Sequence, residues 1–273
     1  MFKLIDRNPE GHKGDFGKIL IIAGSKGMAG SAILCGRSAL RTGAGLVQIS
    51  VPDEILSIVQ VGVPEATCIM RESVLSKLER YDAIAFGPGL GTDEENFLIL
   101  EDIIERFRKP IVIDADGLNI IGKALNLELL KKNIGKIIIT PHMGEAKVLL
   151  GFSEDKMGKL SREEIARELY EKSGAIVVLK GHETLVFNGK EIWLNKTGNS
   201  GMATGGSGDV LTGIIVSLCG QGYEPETAAK LGVYIHGFAG DLAKEEFGEH
   251  GLIAGDLCYY IAKTMKLMAE ERI

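Results

Sequence analysis

KILIIAGS, Lys18 to Ser25, sets an unbroken apolar run, Ile19 to Ala23, in front of the small residues Gly24 and Ser25. A strand with one wet face alternates polar and apolar residues. A run without alternation needs cover on both faces, which is the condition of a strand inside a parallel sheet with helices on either side. The pattern returns in GLVQISVP from Gly45, DAIAFGPG from Asp82, PIVIDAD from Pro110, KIIITPH from Lys136 and AIVVLKG from Ala175, each followed by turn residues and a helical pattern. This alternation predicts an α/β three-layer sandwich with a central, mostly parallel sheet. TLVFNG and EIWLNK, joined across Asn188 and Gly189, predict an antiparallel hairpin at one edge.

After the hairpin the chain turns helical. Val210, Leu211, Ile214, Ile215 and Leu218 fall on one helical stripe, and two more helices are expected over Pro225–Phe247 and Ile253–Glu271. There is no linker, low-complexity tract or internal repeat, so a single domain over 1–273 is the expectation.

A chain of 273 residues can bury a sizeable core, and 45% hydrophobic with 25% charged residues describes a globular protein. A net charge of -6 with dispersed Lys and Arg argues against nucleic acid as a partner. No window reaches the ~20 consecutive apolar residues of a membrane span, and MFKLIDRNPEGHKG has no signal-peptide pattern. No membrane association and a cytoplasmic address are therefore expected. Cys35, Cys68, Cys219 and Cys258 are widely separated and lack CxxC spacing, so mostly buried, reduced thiols are expected.

Ligands of open parallel sheets bind beyond the carboxyl ends of the strands, where loops converge and helix N-termini aim N–H groups outward. The chemically informative segments stand there: AGSKGMAGS, GPGLG, DADGL, TPHMGE and KGHET. The densest is NSGMATGGSGDVLTGII, Asn199 to Ile215, in which Gly205, Gly206 and Gly208 precede the apolar stripe. Glycines there leave backbone amides unshielded at a positive helix end and permit positive φ, which makes an anion cradle. Asp209, at the join, reads either as a base for a hydroxyl about to attack phosphorus or as an acidic residue serving the first helical turn.

Standard nucleotide signatures fail. Gly201 and Gly206 have the P-loop spacing but are followed by Ser207 instead of Lys, and GPGLGT is not GxGxxG. Neither HExxH nor a G-x-S-x-G elbow occurs. His142 with Glu145 is too small a set for zinc; His142 reads as a polar ligand contact or a satisfied loop histidine. Asp114 and Asp116 read as magnesium or water positioners, or as loop hydrogen-bond acceptors. Lys180 ends a strand, where it meets phosphate or solvates an edge.

With these residues set out, the chain resembles the ADP- or ATP-dependent NAD(P)H-hydrate dehydratases, repair enzymes of the carbohydrate-kinase-like group with a ribokinase-like fold. HKGDFGKILIIAGS, GMAGSAILCGRSALRTGAGLV, GPGLG, DADGL, TPHMGE, VLKG and NSGMATGGSGDVLTGI follow that family's order and approximate spacing over nearly the whole chain. The resemblance implies that the S epimer of hydrated NADH or NADPH (NADHX, NADPHX) is phosphorylated on its ring hydroxyl by ADP or ATP, with Mg2+, and that phosphate then leaves. It places Asp209 as the base and the hydrated cofactor near Ser31, Gly89 and His142. It places the adenine nucleotide near Lys180, Gly181, His182, Glu183 and Thr184, with Gly205, Gly206 and Gly208 as the anion hole. Ser31 stands where alanine is expected, and Ser200 where proline is usual. The family further implies a homo-oligomer, a tetramer, and a functional link to an NAD(P)H-hydrate epimerase. With motifs beginning at His12, a stand-alone dehydratase without an epimerase domain is expected. The rivals are a small-molecule kinase of the same fold, of the hydroxyethylthiazole or hydroxymethylpyrimidine kinase type, and a nucleotide-sensing binding module without catalysis.

Overall fold

A computed structural model describes residues 2–273. The chain runs β1 (Lys18–Ile22), α1 (Ala29–Thr42), β2 (Leu46–Val51), α2 (Asp53–Gly62), β3 (Thr67–Met70), β4 (Ala83–Phe86) and α3 (Glu94–Arg106). It continues through β5 (Ile111–Ile113), α4 (Asp116–Ala124), β6 (Ile137–Ile139), α5 (Met143–Leu150), α6 (Glu154–Met157), α7 (Arg162–Ser173) and β7 (Ile176–Leu179). The hairpin β8 (Leu185–Phe187) and β9 (Ile192–Leu194) follows, then α8 (Ser207–Gly220), α9 (Pro225–Gly251) and α10 (Ala254–Ala269).

Among the described residues, nine strands form one sheet in the order β3, β2, β1, β4, β5, β6, β7, β8, β9. Pairing is parallel from β3 to β7 and antiparallel from β7 through β8 to β9, as the sequence predicts. Unanticipated is β3, which makes the strand ending in GPGLG the fourth of the chain instead of the third. TCIM is only four residues long, sits at the sheet edge and is half exposed, so it lacks the continuous apolar run that marks a covered strand. The last two helices run Pro225–Gly251 and Ala254–Ala269, close to their expected bounds.

The unbroken apolar runs are explained by two cores, one on each face. Along β1, Ile19 and Ile21 pack toward α1, α8, α9 and α10, whereas Leu20 and Ile22 pack toward α3, α4, α5 and α7. Period-two alternation thus survives as a choice between two dry faces. The four cysteines are free thiols; Cys35, Cys219 and Cys258 are buried and Cys68 is half-buried, with burial raising their pKa values.

On the first face, α8 crosses α1 at the closest approach glycine allows. A Cβ at Gly213 would overlap both the Ser38 hydroxyl and the Cys35 carbonyl oxygen. Gly213→Ala gains up to ~1 kcal/mol of helix propensity, but it forces α1 outward, and overpacking of this kind costs ~1–3 kcal/mol or more. We expect a lower urea midpoint with an unchanged m-value. A midpoint equal to or above that of the wild type would contradict the close crossing.

Candidate active site

The topology selects one place on the rim of strand ends. The chain leaves β1 for α1 on one face and β4 for α3 on the other, so the loops after these neighbouring strands diverge and open a crevice. Its walls are pinned together: the Gly24 amide donates to Pro88 O at 2.8 Å and the Ser25 hydroxyl to Gly89 O at 2.9 Å. Gly89 has φ +59°, and a Cβ there would stand 2.8 Å from Ser31 Cβ. The two expected substrate residues after β1 and β4 are therefore in contact across the crevice.

The glycine turn enters from the side. Gly206, at φ +90° and ψ -10°, precedes the first residue of α8, and a Cβ on it would overlap Leu34 of α1. Only glycine supplies that backbone and that approach. Opening amides of a helix lack intrahelical partners. Here Ser207 N–H is taken by Thr204 O and Val210 N–H by Gly206 O, leaving Gly208 and Asp209 to present theirs.

Asp209 lies in the first turn of α8 with its pKa pushed up to about 6. Burial is the chief cause; hydrogen bonding from Ser31 pulls it down, Asp114 pushes it up and Lys180 pulls it down. A carboxylate serving a helix N-terminus is stabilised in its charged form, so its pKa falls. The rise sets Asp209 apart from a helix-capping acid.

Below the turn is a buried ionic cluster. Lys180 Nζ donates to Asp114 Oδ1 at 2.6 Å and lies 3.6 Å from Glu145 Oε2. The Thr212 hydroxyl, one turn along α8 from Asp209, donates to Asp114 Oδ2 at 2.7 Å. Asp114 is 1% exposed. Burial works against the Lys180 ammonium, but Asp114 and Glu145 outweigh it and hold its pKa above the ordinary lysine value. A Cβ on Gly208 would stand 3.3 Å from Lys180 Nζ, so the ammonium lies directly beside the turn. Of the two readings for Lys180, solvating an edge is overturned, because β7 is an interior strand.

Asp114 and Asp116 diverge because Ala115 between them adopts φ 50° and ψ -120°, a strained conformation for a residue with a side chain. Asp116 Oδ2 accepts the Gly91 amide at 2.9 Å, tying the loop after β5 to that after β4. His142 caps α5: its Nδ1 accepts from Glu145 N–H at 3.1 Å, and Glu145 Oε2 accepts from His142 N–H at 2.7 Å. With Nδ1 accepting, Nε2 is the ring nitrogen that carries a hydrogen. His142 thus serves as a loop cap whose half-exposed ring still faces the neighbourhood of Glu145.

The remaining expected nucleotide residues form a separate ledge beyond β7. Arg162 donates to the carbonyls of Leu179, His182 and Glu183, the Thr184 hydroxyl donates to Gly181 O at 3.1 Å, and Glu183 pairs with Lys196 at 2.8 Å. Lys180 joins this ledge to the cluster, whereas the side chains of His182 and Glu183 are not drawn into it. Gly205 faces open space. Ser200, where proline is usual, donates to Glu249 Oε2 at 2.7 Å.

Sequence reading missed Thr212, Arg162 and His236, whose Nε2 lies 3.0 Å from Ser207 O. Thr212 stands three residues after Asp209, a spacing that puts both on one helix face; Arg162 and His236 carry no local signal. Two cavities of about 480 and 460 Å3 lie elsewhere, one around Arg41, Gly43 and Gln221 near the amino ends of the strands, the other around Trp193 and Tyr234. Chemistry, not volume, marks the site. Among the described residues no helix is long and apolar enough to cross a membrane.

A family model described as NAD(P)H-hydrate dehydratase matches residues 19–263. The chain belongs to this family. A relative in Neisseria meningitidis serogroup B, an ADP-dependent (S)-NAD(P)H-hydrate dehydratase, is 39% identical over 92% of this chain and 86% of its own. A bifunctional NAD(P)H-hydrate repair enzyme of Moorella thermoacetica is 38% identical over 97% of this chain and 52% of its own, so the chain spans about half the length of such bifunctional relatives. The crystal structure of ADP/ATP-dependent NAD(P)H-hydrate dehydratase from Bacillus subtilis, co-crystallised with ATP and Mg2+, has a TM-score of 0.83 at 30% identity, covering 97% of this chain and 95% of that one. Ribokinase from Arabidopsis thaliana, at a TM-score of 0.59 and 10% identity, shares the fold alone, and the architecture is ribokinase-like.

In this dehydratase-family chain the raised Asp209 pKa has a consequence for stability. The native state holds that proton more tightly than the unfolded chain, whose aspartate titrates near 3.8. The stabilisation is complete below about pH 4 and is lost as pH rises through about 6. Asp209→Asn removes an ionisation that the fold resists, so the variant should be more stable than wild type at pH 8, by on the order of 2 kcal/mol. The difference should vanish near pH 4. Denaturant titrations at both pH values measure it, and a gap that does not change with pH would contradict the desolvated carboxyl.

Proposed function

We propose that the protein dehydrates the S epimer of hydrated NADH or NADPH, with ADP or ATP as phosphoryl donor. The observation that carries this reading is the placement of Asp209, a largely desolvated carboxyl of pKa about 6 in the helix turn that presents free amides and borders a half-buried lysine. A carboxylate there repels a resting phosphate. It is useful if it takes the proton of a hydroxyl that attacks phosphorus, and a pKa near working pH suits that transfer. The names of the relatives point to the same chemistry.

In this mechanism the ring hydroxyl of the hydrated cofactor lies in the crevice beside Ser31 and Gly89, with His142 Nε2 on the same rim. Asp209 accepts its proton while the oxygen attacks the terminal phosphorus of the donor, breaking the bond to the bridging oxygen; ADP becomes AMP. The amides of Gly205, Gly206 and Gly208 and the Lys180 ammonium receive the negative charge of the migrating phosphoryl group. Phosphate, a far better leaving group than hydroxide, then departs as the neighbouring ring carbon loses a proton, and the reduced nicotinamide is restored. The ledge from Gly181 through Thr184 holds the adenine nucleotide.

Magnesium belongs to the proposal as the nucleotide's companion. Among the described residues no three His, Cys, Asp or Glu side chains gather to hold a metal ion, and Asp114 has both oxygens engaged by Lys180 and Thr212. Mg2+ commonly takes one or two carboxylates plus substrate phosphates, so this donor set fits an ion held chiefly by the nucleotide. A site with one fixed base is chiral and serves one epimer, which is the reason for a functional link to an NAD(P)H-hydrate epimerase. A homotetramer is part of the same reading; exposed Ile58 and Val61 on α2 and Met70 on β3 support a contact between copies on that side.

Hydrated NADH incubated with ADP, ATP or neither, followed by reduced-nicotinamide absorbance and phosphate release, tests the reaction. Recovery of absorbance with stoichiometric phosphate is expected; a stable phosphorylated product would point to the kinase instead. Asp209→Asn should abolish turnover while nucleotide still binds, and wild-type kcat/KM should fall about tenfold per pH unit below pH 6, where the base is protonated. Near-normal rates in that variant would remove the assigned role. Lys180→Ala should weaken nucleotide affinity in calorimetry more than it lowers kcat, and unchanged affinity would exclude Lys180 from the nucleotide site.

A further inference from the structure

His236, on α9, has no role in the mechanism above, yet it touches the glycine turn. Its Nε2 lies 3.0 Å from the Ser207 carbonyl oxygen and 3.2 Å from the Ser207 hydroxyl. A carbonyl oxygen has no proton to give, so Nε2 carries the hydrogen and donates. The ring is neutral at pH 7: burial draws its pKa down to about 4, the Ser207 carbonyl pulls it up and Lys180 pushes it down.

The Ser207 carbonyl and the Gly208 amide belong to one rigid peptide plane and point in opposite directions. A bond that anchors the carbonyl toward α9 leaves the Gly208 N–H on the opposite side of that plane, at the opening turn of α8, where Gly208 itself lies beside Lys180. We propose that His236 is a positioning residue, which fixes the Ser207–Gly208 peptide so that the Gly208 amide is aimed at the migrating phosphoryl group. The inference rests on the phosphoryl transfer proposed above.

The packing of α9 is arranged around this contact. A Cβ at Gly237 would overlap Thr197, and one at Gly240 would overlap Met202, so the segment leading into the turn lies flush against the helix. Asp241 then accepts the Gly198 amide at 2.8 Å and the Asn199 side-chain amide at 2.9 Å. One helix thereby supports the whole approach to α8, and His236 is its hydrogen-bonding contact at the functional end. A lysine or arginine in its place would bring a second cation to the turn and compete for Asp209; a neutral donor orients the peptide without adding charge.

The test combines variants with resonances of the intact wild-type protein. His236→Ala should lower kcat about tenfold or more, less than the ~10^2–10^3-fold cost of deleting an anion-hole donor, with a smaller change in KM for ADP. His236→Gln, whose side-chain amide can donate to the same carbonyl, should recover most of the rate. In the wild type, 15N spectra should show the Nε2–H tautomer of His236 at pH 7, and the Gly208 amide resonance should move when ADP is added. An Ala variant that melts earlier but keeps wild-type kcat would reduce His236 to a packing residue and overturn the proposal. So would an Nδ1–H tautomer, or a Gly208 amide indifferent to ADP, whether or not the variants fold. If the wild type binds ADP but does not convert hydrated NADH, the proposed reaction fails, while the tautomer and the amide shift still decide the geometry of His236.

Discussion

The ion pair between Lys180 and Asp114 holds the site together. It joins the end of β7 to the end of β5, and Thr212 on the second Asp114 oxygen adds α8. Removing two charges from water costs several kcal/mol per ion, and only good geometry with satisfied lone pairs offsets it. Both Asp114 oxygens are so satisfied. The relative heights of two strand ends and one helix are thereby set to within hydrogen-bond tolerance. Gly208 comes to rest beside the ammonium as a consequence, and Asp209 follows it.

The pair also accounts for the state of Asp209. Lys180 is the cation of the cluster, and it is already shared between Asp114 and Glu145. Asp209 keeps only the Ser31 hydrogen bond and a share of the Lys180 charge, and burial, with Asp114 and Asp116 nearby, outweighs both and raises its pKa. A lysine given wholly to Asp209 would hold it ionised and weak as a base. Sharing the lysine keeps the carboxyl responsive near neutral pH.

Rigidity around the crevice has a visible source as well. Ala115 carries a backbone strain of about 1–3 kcal/mol, tolerated because the carboxylates on either side are each anchored, Asp114 in the cluster and Asp116 on the Gly91 amide. The loops after β1, β4 and β5 are thus bonded to each other as well as to their own strands. The phosphoryl transfer proposed for this site would depend almost wholly on positioning and electrostatics, which mutually braced loops supply better than a mobile lid.

Continuous apolar runs such as Ile19–Ala23 determined the covered parallel sheet, because a strand with no polar face is buried only when helices cover both of its sides. The Asn188–Gly189 turn determined the hairpin, and the glycines before Asp209 marked the end of α8 that presents bare amides, since backbone freedom and unshielded N–H groups are properties of residue type. The short, half-exposed β3 left no such mark. Which group met Lys180, whether Asp114 served a ligand or a neighbour, and whether Asp209 capped its helix or stood desolvated were decided only by the tertiary structure. These are matters of distance between residues 66 or 98 positions apart and of water excluded by whole helices. A single sequence carries residue types and local spacing, and neither encodes the dielectric that a side chain meets once the sheet closes around it.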